Sequence, residues 1–208
     1  MEQVLDRYEK PYNANYPVVC FDERPCQLIE DVLQPIPMKE GQVKREDYHY
    51  KRNGTAVILA SIEPLTGKRI VEVREQRTKQ DYAEFMRRAA KQYPNAKKII
   101  LIQDNLNTHN PSSFYESMPA EEAFALSQRF EMVYTPKKAS WLNMAEIEFS
   151  ALSKQCLDRR IGNFKTLTKE VATWSRSRNK NKIKINWQFT KTKAREKFSN
   201  QYNEVIKN

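Results

Sequence analysis

Two short runs of consecutive apolar residues organise the chain. Residues 99–102, Ile-Ile-Leu-Ile, contain no polar alternation, which predicts a strand buried on both faces rather than one with a wet side. The run stops at Gln103 and opens a polar stretch, Asp104-Asn105-Leu106-Asn107-Thr108-His109. Residues 17–21, Pro-Val-Val-Cys-Phe, repeat the pattern and run straight into Asp22-Glu23-Arg24-Pro25. A carboxylate at the carboxyl tip of a central strand sits where open α/β sheets bind ligands. The plainer reading of Asp104 is a residue that starts a turn.

The remaining pattern supplies the other elements. Residues 1–16, polar and rich in Tyr, Pro and Asn, read as an extended lead-in, and residues 26–47, with two prolines and Gly41, as an irregular excursion. Residues 48–52 lead through an Asn53-Gly54 turn signal into a strand over 55–62. Pro64 to Gly67 makes the next turn, and residues 68–75 alternate as an edge strand does. Tyr82, Phe85, Met86, Ala89 and Ala90 recur at helical spacing between Thr78, a capping residue, and Pro94. Pro111 opens a short helix and residues 120–130 form another; 131–135 make a strand. Residues 140–157 form a helix broken by Gly162, 166–176 a further helix, and 192–202 a basic one after a lysine-rich connector over 179–184.

Three meandering strands followed by alternating helices and strands is the order of the ribonuclease H-like fold: α/β, a mixed five-stranded sheet flanked by helices, here with a basic helical C-terminal extension. The expected organisation is a lead-in over 1–16, a catalytic domain over 17–160 and the extension over 161–208. In this fold Asp22 and Asp104 come from neighbouring strands, and the helix after the fifth strand can add a third carboxylate. That helix offers Glu146 and Glu148, which flank the apolar stripe of Ala145, Phe149, Leu152 and Cys156 on opposite edges, so periodicity leaves both open.

Composition narrows the class. With 208 residues, 39% hydrophobic and 30% charged, the chain is long enough for one sizeable core. No apolar run approaches the roughly 18 residues that span a bilayer, and the N-terminus is no signal peptide, so the expected location is intracellular. Cys20, Cys26 and Cys156 form no CxxC pair, and two histidines, His49 and His109, are too few for a histidine-rich metal site, so any metal must be held by carboxylates. The net charge of +10 is confined to one end: residues 151–208 carry 15 Lys and Arg against 4 Asp and Glu, the rest 21 against 22. A basic segment on a neutral core suits a polyanion such as nucleic acid, a solvated face being the alternative.

Three segments together carry a specific resemblance. Val19-Cys20-Phe21-Asp22-Glu23, Gln103-Asp104-Asn105-Leu106-Asn107-Thr108-His109 and Ser140-Trp141-Leu142-Asn143-Met144-Ala145-Glu146 resemble the three signature blocks of DDE transposases of the mariner superfamily, especially its bacterial insertion-sequence branch. In the third block the acid follows a Leu-Asn pair by three residues, which selects Glu146. The resemblance spans residues 1–203. The 41 residues between Asp104 and Glu146 exceed the usual spacing, an excess assigned to the 111–130 helical region.

The resemblance implies a Mg²⁺-dependent endonuclease and strand transferase, with Asp22, Asp104 and Glu146 as catalytic residues and metal ligands. Two Mg²⁺ ions, with Mn²⁺ as a substitute, activate an attacking oxygen and stabilise the leaving one when held roughly 3.5–4 Å apart by hard oxygen donors. Water is the expected first nucleophile and the freed 3′-hydroxyl the second. Expected partners are double-stranded DNA, both transposon ends and target, and a second copy of the chain on DNA. The family's helix-turn-helix DNA-reading module has no counterpart before the first strand, which fits a split reading frame with a separately encoded partner, a truncation or a relic. The expected setting is the bacterial cytoplasm at the nucleoid, with no membrane. Glu23 reads as a solvated turn residue, Trp141 as packing under the helix, and His109 as either a phosphate contact or a loop histidine. Arg176, Arg178, Lys180, Lys182, Lys184, Lys191 and Lys193, with Trp187 among them, suit contact with the phosphate backbone.

Overall fold

The computed structural model describes residues 1–43, 45 and 47–200. Five strands, β1 (Val18–Asp31), β2 (Tyr50–Glu63), β3 (Lys68–Arg74), β4 (Ile99–Gln103) and β5 (Phe130–Tyr134), form one sheet in the order β3-β2-β1-β4-β5. The first three run antiparallel, while β4 is parallel to both β1 and β5. The mixed five-stranded α/β architecture expected from the pattern is present.

Because side chains alternate along a strand, the apolar runs feed two cores at once. Val19, Phe21, Leu59, Ile99 and Leu101 face one side, covered by α2 (Lys79–Lys91), α3 (Ser112–Ser117) and α4 (Ala120–Arg129) through Tyr82, Phe85, Phe114 and Leu126. Cys20, Ile100 and Ile102 face the other, where α1 (Glu2–Glu9), α5 (Ala145–Gln155) and α7 (Lys191–Lys197) pack. Farther along that face Ala56, Ile58 and Ala60 meet α5 and α6 (Phe164–Lys180) through Phe149, Leu152, Leu167 and Val171. No described helix is long and apolar enough to cross a membrane.

Several boundaries differ from the sequence pattern, each for a physical reason. The lead-in is helical over Glu2–Glu9 because Val4 and Leu5 find a buried seat. β1 continues to Asp31 through Pro25, where an irregular loop was expected. β4 pairs only with Val18–Cys20, so beyond them one edge of β1 is open and a proline is tolerated. Asn53-Gly54 is a bulge within β2, not a turn: the register shifts opposite Leu28, and Gly54 absorbs it at φ +104°. The expected cap at Thr78 is a full capping box with Asp81. α6 begins at an Asn163 cap, runs to Lys180 and shares the core of the sheet, so packing does not break at residue 160. The last expected helix closes at Lys197 in α7, and residues 201–202 of that prediction lie outside the described residues.

Gly67 closes the β2–β3 turn at φ +77°, and a Cβ there would stand 2.6 Å from the Ile183 carbonyl oxygen. Gly67→Ala therefore meets a left-handed backbone and a backbone clash together. It should destabilise the fold by about 2–3 kcal/mol, read as a lowered Tm at unchanged far-UV circular dichroism.

Candidate active site

Parallel pairing sets the site. Cys20 of β1 lies opposite Ile102 of β4, so Asp22 and Asp104, each two residues on, emerge side by side. Asp22 is 8% exposed and still within β1; Asp104 is half-buried just past β4. Glu146 stands exposed in the first turn of α5, within electrostatic reach of Asp22. The Asp22 carboxyl is pushed up to about 7, first by burial and then by the charges of Glu146 and Asp104, against the opposing Glu23 N–H hydrogen bond.

Asn143 is the residue whose role sequence reasoning did not assign. Fully buried, it donates from Nδ2 to the Phe21 carbonyl (2.7 Å) and to Asp22 Oδ2 (3.3 Å), and its Oδ1 accepts from the Ala145 N–H (3.2 Å). One amide thus staples the start of α5 to the tip of β1. Its presence in the Leu-Asn pair of the third block was the available signal. Arg24 adds a second tie, donating to Ser153 Oγ and to the Phe149 carbonyl (3.4 Å) on α5.

His109 is fully buried between two carboxylates, hydrogen-bonded through Nδ1 to Asp104 and through Nε2 to Glu23 Oε2 (3.0 Å). It stacks on Tyr82 and meets Phe21 edge-on, with centroids 5.1 Å away in each case. Burial alone would lower its pKa; the hydrogen bonds to Asp104 and Glu23 outweigh that and raise it to about 9. The same contact holds the Asp104 carboxyl below its ordinary value. Glu23, expected as a solvated turn residue, is instead a strand residue with a 5%-exposed side chain, which also pairs with Arg77 at 3.1 Å. The histidine loop is pinned by Gln103 Nε2 and the Tyr134 hydroxyl, both donating to the His109 carbonyl (2.9 and 3.1 Å).

The two edges of α5 separate cleanly. Glu148 is 1% exposed and taken by Arg69 (2.7 Å) and Arg178 (2.9 Å), while Glu146 belongs to the aspartate pair. Trp141 is 44% exposed, edge-on to Phe189 at 5.3 Å, so it covers an aromatic cluster rather than lying beneath the helix.

Among the described residues, no three His, Cys, Asp or Glu side chains close into a metal cage. The donor set nonetheless fits a hard divalent cation. It consists of carboxylates, and Asp22 is strained first by burial and then by the charges of the other two.

The basic residues do not form one free surface. Arg178 is spent on Glu148, Lys191 on Asp6 (2.8 Å) and Glu9 (3.6 Å) of α1, and Lys193 donates to the Gln188 carbonyl (3.0 Å). Arg178 and Lys191 are thus engaged in ion pairs within the chain. Arg176, Lys180, Lys182 and Lys184 are exposed. Lys182 and Lys184 flank Ile183, which packs on the β2–β3 turn, away from the end of the sheet that carries the acids.

Comparison with solved structures finds similarity to a Mos1 transposase paired-end complex with left transposon end. Identity is 14%, covering 85% of this chain and 52% of that chain, at a TM-score of 0.58. The Mos1 mariner paired end complex with Mn matches at 14% identity, 85% and 52% coverage and TM-score 0.57. The Mos1 Strand Transfer Complex matches at 13% identity, 85% and 51% coverage and TM-score 0.56. These likenesses establish a shared ribonuclease H-like fold, and the chain spans about half the length of the proteins it matches. A comparison with curated proteins returned no significant match. The family profile described as DDE superfamily endonuclease matches residues 17–168, a span that holds Asp22, Asp104 and Glu146 in the arrangement above, and the chain belongs to that family.

Proposed function

We propose that this chain is the catalytic part of a DNA transposase, of the bacterial insertion-sequence branch, that cleaves phosphodiesters at transposon ends and joins the freed 3′ ends to target DNA. The observation that carries the reading is the electrostatic coupling of Asp22 on β1 to Asp104 after β4 and Glu146 on α5, with Asp22 forced up to about 7 by burial and by the other two. Those three would hold two Mg²⁺ ions, or Mn²⁺ in their place, and the chemistry such ions supply is activation of the attacking oxygen and neutralisation of charge gathering on the phosphate. The chain's own residues prepare the platform. Asn143 fixes Asp22 against the start of α5, and His109, backed by Glu23, fixes Asp104.

Residues 17–160 together with α6 form the proposed catalytic unit, since α6 shares its core. Arg176, Lys180, Lys182 and Lys184 are the proposed phosphate contacts, in binding that weakens steeply with salt. One of the matched structures is a Mos1 paired-end complex with left transposon end, which supports DNA as partner. A second copy on DNA, a separately encoded helix-turn-helix protein and a place in the bacterial cytoplasm at the nucleoid complete the proposal.

The test is a plasmid carrying the flanking genomic ends, incubated with purified chain, its DNA-reading partner and Mg²⁺ or Mn²⁺. Cleaved and joined products are expected only with metal. Asp104→Asn and Glu146→Gln should each lower cleavage by about 10³-fold while DNA affinity stays within about twofold. Cut but never joined ends would identify a nuclease of the same fold; full activity in both variants would end the catalytic assignment.

A further inference from the structure

The acid left over on α5 carries an inference that rests on the reading above and extends it. Glu148 follows Glu146 by two residues, so at about 100° per residue the two side chains leave the helix on nearly opposite sides. Glu146 faces the aspartates; Glu148 points into the protein, 1% exposed. Arg69 of β3, itself 3% exposed, places Nε 2.7 Å from Glu148 Oε1. Arg178 of α6 grips both oxygens, Nε to Oε1 at 2.9 Å and Nη2 to Oε2 at 3.1 Å. Arg178 is aimed in turn by Trp174, whose ring it covers at 5.1 Å, and by Gln155 Oε1 at 3.3 Å. Asn179 then zips α6 to β3, accepting from the Arg69 N–H and donating to the Arg69 carbonyl, both at 2.9 Å.

A buried triad of one acid and two guanidinium groups is a costly way to fill space, since apolar side chains of the same volume pack at least as stably. What it adds is direction. The apolar stripe of Ala145, Phe149 and Leu152 tolerates small rotations and slides of α5, whereas a two-pronged guanidinium–carboxylate contact does not. Any rotation of α5 about its axis carries Glu146 with it.

We propose that Glu148 is a positioning residue for the carboxylate platform: clamped by Arg69 and Arg178, it sets the rotation of α5 and thereby delivers Glu146 to Asp22 and Asp104. The basic α6 is then a working part of the active site through the inward-facing Arg178, quite apart from any contact with DNA.

Arg178→Gln is the informative variant, because Arg69 still partners the buried carboxylate and the fold should survive. Glu148→Gln removes the clamp outright, and Arg178→Lys keeps the charge without the fork. The purified chain is assayed for Mn²⁺ affinity by electron paramagnetic resonance, for single-turnover cleavage and for DNA affinity, with hydrogen exchange read across residues 145–155. Arg178→Gln should weaken Mn²⁺ binding about tenfold or more, slow cleavage comparably, speed exchange in α5 and leave DNA affinity unchanged; Arg178→Lys should recover only part of each. Unchanged Mn²⁺ affinity with weaker DNA binding would make Arg178 a phosphate contact and overturn the proposal. Lower thermal stability with unchanged Mn²⁺ affinity and cleavage would reduce the clamp to scaffolding and overturn it too. Wild-type protein that neither binds Mn²⁺ nor cleaves DNA would instead remove the reading of the site on which the clamp's purpose rests.

Discussion

Asp22→Asn should yield a protein that is inert toward DNA and markedly harder to unfold. On the proposed role of Asp22 as a metal ligand, its replacement removes a donor oxygen between the other two acids, and a loss of about 10³-fold or more, on the order of 4 kcal/mol, is expected in the cleavage rate. The gain in stability follows from the same carboxyl's strain. Its pKa lies at 3.8 in an ordinary setting and about 7 here, raised first by burial and then by Glu146 and Asp104. A folded-state pKa above the unfolded one means the native protein binds the proton more tightly. The associated stability is whole below pH 3.8 and drains away as pH rises through 7. Asparagine mimics the protonated form at every pH and keeps an oxygen for the Glu23 N–H, giving up only the longer bond from Asn143 Nδ2 (3.3 Å). At pH 8 in EDTA the variant should therefore exceed the wild type by about 3–4 kcal/mol, roughly 10 °C in Tm, with the curves merging near pH 4. Adding Mn²⁺ should raise the wild-type Tm and leave the variant's almost unmoved. Equal stabilities at pH 8 would mean that Asp22 carries no such strain.

What the amino-acid pattern reveals of this site divides along a physical line. Strands buried on both faces advertise themselves as unbroken apolar runs, so residues 18–21 and 99–102, and the aspartates that end them, were legible directly. The helix carrying Glu146 was legible too, but its periodicity left Glu146 and Glu148 open, and only the Leu-Asn spacing of the third block selected Glu146. That choice is made by Arg69 and Arg178, which approach from β3 and α6 and leave no mark on the helix's own periodicity. Glu23 and His109 were misjudged or left open for the same reason: their partnership joins β1 to a loop 86 residues away. Composition likewise counts Arg178 and Lys191 as cations without showing that Glu148 and Asp6 already occupy them. At Asn53-Gly54 the signal was real but ambiguous, since a bulge and a turn both call for a glycine at positive φ.

Replacing His109 should remove a second pH-dependent component of stability and release the second aspartate. As an imidazolium the side chain satisfies Asp104 and Glu23 together, and its pKa is raised from 6.5 to about 9, with burial opposing and the two carboxylates prevailing. The stabilisation is complete below pH 6.5 and is lost as pH climbs through 9, a span worth about 3 kcal/mol. The lowered pKa of Asp104 describes the same contact and adds nothing to that figure. Metal-free wild-type protein should accordingly lose stability steadily from pH 4 to pH 9, first through Asp22 and then through His109. His109→Gln preserves neutral hydrogen bonding but forfeits the charge, so its stability should be nearly flat between pH 7 and 9 and lower than the wild type's at pH 6.5. With Asp104 no longer held by a cation, Mn²⁺ affinity and cleavage should fall about 10- to 100-fold, the range seen when the partners of metal ligands are removed. Chemical denaturation in EDTA across this pH range reads the first effect and Mn²⁺ titration the second. If His109→Gln kept the wild-type slope above pH 7, the imidazolium would not be the group that binds Asp104 to Glu23.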